Sequence, residues 1–340
     1  MAACPEVDPA SPLQFIINAA AGSSDAEAKR EVIEAVLRAA GRRGELLFGS
    51  TAELTRVAAE AAARAIAIRT AVVGVGGDGT LNTVVQAAHA VGCAMGVVPQ
   101  GTFNYFARTH GIPDDPAEAA RLLLGWTPQP VQVAAVNDRV FLVNASLGLY
   151  PDLLEDREAY TARFGRSRWV AFWAASATLL RAQRQLRLRI GEGARAREVR
   201  TLTLFVGNNR LQLEQLGVGP QVHAGSGPVS APDDGRLTAV MLRPMSMLSM
   251  IMLMLHGAMG TLGEAESVER FEFERMVMRP TLTPGRRGVK VAFDGEVTRM
   301  RAPLDFRVLA KPLYLLKPDA HEPDAGTAID TAGHPEGSGG

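Results

Sequence analysis

Cysteine is scarce: 340 residues hold two, Cys4 and Cys93. Two cysteines build neither a disulfide framework nor a zinc-ligand cluster, and they suit a reducing compartment. Net charge is missing too. Thirty-six basic and thirty-six acidic residues cancel, so no overall field favours nucleic acid. Long apolar runs are absent. The longest stretch, around Met245 to Leu255, is too short for a bilayer span, which needs about 20 residues. Residues 1–12 lack the basic and apolar regions of a signal peptide. The six histidines show no metal-ligand spacing, and no Gly-Lys-Ser/Thr follows a glycine loop, which excludes a Walker A site. What is present is globular: 47% hydrophobic residues and a mean hydropathy of +0.04. The length suits about two domains and a sizeable core.

The chain is organised around Val72-Val73-Gly74-Val75-Gly76-Gly77-Asp78-Gly79-Thr80-Leu81-Asn82. Ala71 to Val75 reads as a buried parallel strand. Leu81 to Ala90 reads as a helix with Leu81, Val84, Val85 and Ala88 on one face. Between them stand Gly76, Gly77, Asp78 and Gly79. Glycines let the backbone come close to a ligand, and the turn's N–H groups with the helix start form an anion site. Three readings are open. The turn is an ordinary strand-to-helix connection with Asp78 or Thr80 as cap. It is a dinucleotide fingerprint, since Gly74, Gly76 and Gly79 fit G-x-G-x-x-G. Or it is a triphosphate loop with Asp78 near ATP or its metal. The fingerprint needs an acid about 20 positions on, and Val98 to Thr102 offers none.

Upstream, Leu13 to Asn18 reads as the first strand, followed by a turn to Gly22 and a helix from Asp25 to Ala40. Glu45 to Phe48 is a second strand and Thr51 to Ile68 a second helix, with Ser50 and Thr51 serving as cap or ligand contact. Ala94 to Val98 is a fourth strand, ending at Pro99-Gln100-Gly101-Thr102-Phe103-Asn104. Strands alternating with helices imply a doubly wound, mostly parallel sheet. Ligands of such sheets bind at the carboxyl ends of the strands, so residues 18–22, 76–80 and 99–104 converge at one edge.

After Pro130 the pattern changes. Val131 to Val136, Val140 to Leu147, Gln185 to Ile190 and Thr201 to Val206 read as strands, with Asn137-Asp138 as a hairpin turn. Arg166 to about Gln183 reads as a helix bearing Trp169 and Trp173. Residues 157–210 hold twelve arginines against three glutamates, a local excess of nine positive charges. Such a run is a solvated face or a membrane interface with anionic heads. Met241 to Leu262 is rich in methionine, as a core helix or an acyl contact would be.

Gly76-Gly77-Asp78-Gly79-Thr80 with Asn82, Pro99-Gln100-Gly101-Thr102-Phe103-Asn104-Tyr105-Phe106-Ala107-Arg108 and Phe293-Asp294-Gly295-Glu296 occur in this order. Together they resemble the diacylglycerol kinase catalytic-domain family of lipid kinases, over roughly residues 13 to 317. The resemblance implies an N-terminal α/β domain over 13–130, with a return at 304–317, and a C-terminal β-sandwich over 131–303. Residues 1–12 and 318–340 are expected as a flexible N-terminus and a disordered tail. The resemblance also implies ATP as co-substrate and Mg²⁺. ATP contacts are expected at Asn18, Gly22, Thr51, Gly76, Gly77, Asp78, Gly79, Thr80, Asn82, Gly101, Thr102 and Asn104. The family's proline after Asn18 is missing here. A structural magnesium is implied at Asp234 and Asp233, whose Asp-Gly turn is otherwise a plain hairpin. The catalytic base is Glu296 or Asp294, with no choice between them. The expected activity is ATP-dependent phosphorylation of a membrane-lipid hydroxyl, diacylglycerol-like or related. The alternatives are a soluble NAD kinase-like enzyme or a catalytically inactive nucleotide-binding regulator. The expected location is cytoplasmic, in peripheral contact with the inner membrane surface, with no nucleic-acid partner and the oligomeric state, homodimer included, open.

Overall fold

The computed structural model describes residues 4–19, 23–101, 104–152, 186–191, 196–208, 235–244, 268–281, 288–294 and 296–318. The expected tryptophan–arginine helix, the methionine-rich segment from 245 onward and the tail beyond 318 lie outside the described residues.

Among the described residues, the strands form three six-stranded sheets. The first contains β1 (Leu13–Asn18), β2 (Gly44–Gly49), β3 (Ala71–Gly76), β4 (Ala94–Pro99), β5 (Thr127–Val131) and β18 (Leu313–Lys317). Its order is β2-β1-β3-β4-β18-β5, parallel except for β5, which runs against β18. Helices cover both faces. α2 (Leu54–Ala67) and α3 (Asp78–Val91) pack on one side, through Ala58, Ala62, Leu81 and Val85. α1 (Ser23–Ala39) and α5 (Pro116–Leu123) pack on the other, through Ile33, Leu37, Ala120 and Leu123, and the short α4 (Tyr105–Thr109) follows β4. Every residue of β3 and β4 is therefore buried, which is why both read as unbroken apolar runs. β2 lies on one side of β1 and β3 on the other. The winding reverses there, leaving a crevice at the carboxyl ends of β1 and β3.

Helix starts depart from the apolar pattern. α3 begins at Asp78, three residues before the first apolar position, with Gly77 as N-cap and no side-chain cap bond. Neither Asp78 nor Thr80 caps it, because both lie inside its first turn. α2 begins at Leu54 with Glu53 as N-cap. The Glu53 carboxylate accepts from the Ser50 amide and hydroxyl at 3.2 and 2.7 Å, so Ser50 and Thr51 precede the cap. α5 follows the expected rule: Asp115 accepts from the Glu118 amide at 2.8 Å, and Pro116 opens the helix.

The other two sheets are antiparallel and face each other as a β-sandwich. One contains β6 (Ala134–Val136), β7 (Arg139–Phe141), β9 (Leu186–Ile190), β10 (Arg197–Thr201), β14 (Arg275–Pro280) and β17 (Leu304–Val308), in the order β10-β9-β14-β17-β6-β7. The second contains β8 (Asn144–Gly148), β11 (Thr203–Gly207), β12 (Leu237–Leu242), β13 (Val268–Phe273), β15 (Val289–Phe293) and β16 (Glu296–Met300), in the order β13-β12-β11-β8-β15-β16. Their shared core holds Leu188, Met278 and Phe306 from one sheet with Leu147, Leu204 and Phe293 from the other. Asn137, at φ 54°, makes the turn between β6 and β7. β17 still belongs to the sandwich. β18 then inserts into the first sheet between β4 and β5.

Candidate active site

β1, β3 and β4 deliver three turns to one edge of the first sheet. The Asn18 amide donates to Thr80 Oγ1 at 3.4 Å, tying the first turn to the glycine loop. The Gln100 amide donates to the Gly76 carbonyl at 3.0 Å, tying the loop to the turn after β4. Gly77 and Gly101 meet backbone to backbone. A Cβ built on Gly101 would lie 3.1 Å from Gly77 Cα and 2.8 Å from Asn104 Oδ1, so a side chain there would push the turns apart. These contacts bound a cleft of about 440 Å³ lined by Asn18, Lys29, Gly76, Gly77, Thr80 and Gln100, closed by the start of α5.

Asp78 stands at the first position of α3, where a helix start favours negative charge. Its Oδ1 is buried and accepts no hydrogen bond from the described residues. Burial raises its pKa above the ordinary carboxylate range. A buried carboxylate oxygen without a donor suits a cation or a cation-bound water, so this position fits a divalent ion beside a triphosphate.

The late acidic turn comes to the same loop. Residues 294 and 295 connect β15 and β16, which pair Phe293 with Glu296. Glu296 is exposed, and its carboxylate lies against Gly79: a Cβ built on Gly79 would sit 2.7 Å from Glu296 Oε1. Asp294 is different. It is 6% exposed and holds φ 46°, a left-handed conformation that Asp tolerates better than most residues. Its Oδ2 accepts from the Leu142 amide at 2.8 Å and the Asn82 side-chain amide at 2.7 Å. Its Oδ1 accepts from the Val143 and Asn144 amides at 2.8 and 3.2 Å. Burial pushes its pKa up to about 6, although all four donors favour the ionised form.

The expected site residues therefore divide. Asn18, Gly76, Gly77, Asp78, Gly79, Thr80, Gly101 and Glu296 surround one loop. Asn82, expected at the nucleotide, spends its amide protons on Asp294 and the Val140 carbonyl, at 2.7 and 3.1 Å, and its oxygen on Gln86. It is 4% exposed and ties the two domains. Asn104 braces its own loop: Oδ1 accepts from the Gly101 amide at 2.8 Å, and Nδ2 donates to Asp114 at 3.1 Å. Thr51 is exposed in the turn after β2, one strand beyond Asn18, and does not line the cleft. Gly22, Thr102, Asp233 and Asp234 lie outside the described residues. Among the described residues, no cluster of three or more His, Cys, Asp or Glu side chains could hold a metal.

Sequence reasoning missed three groups. Lys29 lines the cleft from α1, and nothing local distinguishes it from other helix lysines. Gln86 grips the Val140 peptide, donating to its carbonyl at 2.6 Å and accepting from its amide at 3.2 Å. Gln132 and Asn208 form a buried pair behind the Asp294 turn. Asn208 donates to the carbonyls of Gln132 and Leu142, at 3.0 and 3.1 Å. Gln132 donates to the Asn208 carbonyl at 2.6 Å and accepts from the Gly235 amide at 2.8 Å.

Comparison with known proteins matches this arrangement. Residues 12–136 match the model of the diacylglycerol kinase catalytic domain. A "Probable lipid kinase YegS-like" of Klebsiella pneumoniae (strain 342) is 41% identical over 75 residues, which is 22% of this chain and 25% of that protein. A "Probable lipid kinase YegS" of Salmonella heidelberg (strain SL476) is 36% identical over 90 residues, 25% of this chain and 30% of that protein. The matched stretches thus span under a third of these relatives. The crystal structure of a diacylglycerol kinase from Bacillus anthracis str. Sterne aligns with a TM-score of 0.61 and 18% identity, over 91% of this chain and 97% of that one. A second structure from that organism aligns at TM-score 0.65 and 21% identity, over 91% and 98%. These two show the shared fold.

Proposed function

We propose that this chain is an ATP-dependent kinase of a membrane-lipid hydroxyl, starting from the match of residues 12–136 to the diacylglycerol kinase catalytic-domain model. The observation that carries the reading is the Glu296 carboxylate resting on Gly79 of the triphosphate loop. Asn18, Gly76, Gly77 and Thr80 are the proposed phosphate contacts, Gly101 lets the two turns close on them, and Lys29 adds a cation from α1. Asp78 Oδ1 is the proposed seat for Mg²⁺ on the nucleotide, which supplies charge neutralisation when bound. Asp234 and Asp233 remain the proposed ligands of a separate structural ion.

Glu296 is the proposed base. It accepts the proton of the lipid hydroxyl as that oxygen attacks the γ-phosphorus, and the bond to the β,γ-bridging oxygen breaks to release ADP. Asp294 is the weaker candidate, because four N–H donors already occupy its carboxylate. Its role in this reading is to hold the turn that presents Glu296.

The test is transfer of labelled phosphate from ATP into vesicles of diacylglycerol, phosphatidylglycerol, a sphingoid base or a total lipid extract. Labelled lipid is expected from at least one. No labelled lipid from any of them, with NAD phosphorylated instead, would replace this reading by a soluble kinase.

Gly79 gives a sharper variant. Gly79→Ala introduces a methyl against the mobile end of Glu296 and leaves the surrounding backbone in place. Stability should hold or rise by about 0.5–1 kcal/mol, since alanine restricts the unfolded chain. Phosphoryl transfer should fall by about 100-fold, the size of effect that an ångström of misplacement produces. Calorimetry beside a rate assay checks both halves. A destabilised but fully active variant would contradict the placement of Glu296.

A further inference from the structure

We propose that the solvent-facing side of the sheet β10-β9-β14-β17 is a docking surface for an anionic phospholipid bilayer. Alternation along these strands sends Leu188, Ile190, Met276, Met278 and Phe306 into the sandwich core. The intervening positions on the opposite face are Arg187, Arg189, Arg200, Arg275, Arg279 and Arg307, with Glu198, Asp305 and a buried Val277 between them.

The register makes this more than a solvated charge run. Arg187 stands directly opposite Arg200, Arg189 opposite Arg279, and Arg275 opposite Arg307. Like charges directly opposite each other destabilise a sheet. At the Arg275–Arg307 pair the fold supplies a counter-charge: Asp305 accepts from both, at 2.9 and 3.0 Å. Arg187, Arg189 and Arg200 are exposed and form no ion pair with the described residues, although Glu198 faces Arg189 across the ladder. Helix arginines of the same chain are paired locally, as Arg30 with Glu34 and Arg56 with Glu60. At these three positions the described residues leave a cationic surface with no paired carboxylate, kept against the sheet's own stability. An external anion offsets the repulsion.

Shape and position choose the anion. Four strands about 4.8 Å apart give a patch roughly 14 Å across, wide enough to meet several lipid phosphates, which guanidinium groups bind as forks. Among the described residues this patch offers no aromatic ring for stacking nucleic-acid bases. The same face of the sheet continues to β7, where Val140 packs on α3 and its peptide is held by Gln86. A bilayer on the arginines thus lies along the face that leads to the domain junction. No helix among the described residues is long and apolar enough to cross a membrane. The choice of a bilayer rests on the lipid-kinase reading; the cationic ladder does not.

The experiment is co-sedimentation of the full chain with vesicles of phosphatidylglycerol in phosphatidylcholine, against phosphatidylcholine alone. The wild type should bind the anionic vesicles in a salt-sensitive way. Arg187→Gln/Arg189→Gln/Arg200→Gln should bind about 100-fold more weakly, at roughly five-fold per arginine. The corresponding triple Lys variant should retain binding. Arg30→Gln/Arg56→Gln/Arg64→Gln removes the same charge elsewhere and should bind as wild type. Without lipid, the ladder triple Gln variant should melt at or above the wild-type temperature. Undiminished vesicle binding by the ladder variant, an equal loss in the helix variant, a lowered melting temperature, or preference for duplex RNA over the vesicles would each overturn the proposal. Vesicle binding without phosphoryl transfer to any lipid would count against the kinase reading alone.

Discussion

Glu296→Gln is expected to lower phosphoryl transfer to lipid by 10²–10⁴-fold, the usual contribution of a positioned general base. Nucleotide affinity and melting temperature should stay at the wild-type level. The asymmetry follows from where the side chain sits. Glu296 is exposed at the start of β16, and Gln keeps its shape while removing the charge. Its carboxylate nevertheless lies against the first turn of α3, beside the loop that is to hold the triphosphate. Titration calorimetry with ATP and a labelled-phosphate assay on one preparation separate binding from chemistry. An unchanged rate would remove Glu296 from the mechanism. A lost rate together with lost nucleotide binding would make it a ligand of the nucleotide instead. A regulator without catalysis would lose nothing measurable.

Asp294→Ala is expected to act on stability first, by about 3–5 kcal/mol. The substitution strands the buried amides of Leu142 and Val143 and the side-chain amide of Asn82, all of which donate to this carboxylate. The melting transition should drop by roughly 10 °C. Activity should fall with it, because the turn carrying Glu296 loses its anchor. The pH dependence has a definite sign. Burial lifts the Asp294 pKa from 3.8 to about 6 in the folded chain, so between these values the folded state holds a proton that the unfolded state has released. That stabilisation is complete below 3.8 and is lost as pH rises through about 6. The gap between wild type and Asp294→Ala should therefore widen as pH drops from 7 toward 5. A gap that narrows over this range would contradict the raised pKa. A variant as stable as wild type, with the rate abolished, would return Asp294 to the role of base.

The parts of the molecule legible in the sequence are those governed by neighbours a few residues apart. The unbroken apolar runs of β3 and β4, the glycine turn between β3 and α3, and the proline start of α5 each carry their cause locally. Edges were less legible. The apolar period places the start of α3 at Leu81, because Asp78, Gly79 and Thr80 supply no apolar signal to the first turn. Ser50 and Thr51 have cap chemistry, but Glu53 captures Ser50 and takes the cap position itself. The tie between the domains was invisible. Asn82 and Asp294 are 212 positions apart, and Gln86 and Val140 are 54 apart. An amide in a helix carries no mark of a partner that remote. Asn208, just past β11, is 2% exposed and bonded into the same junction.

The place of β18 has a mechanical result. The chain leaves the first sheet at the end of β5, builds the sandwich, and re-enters between β4 and β5. Each domain is thereby strapped to the other by two covalent strands that emerge side by side. Two adjacent straps oppose swivelling and leave a rocking motion about the line joining them as the soft direction. A single proteolytic nick cannot part the halves, and removing the last strand would open a gap inside the first sheet rather than trim its rim.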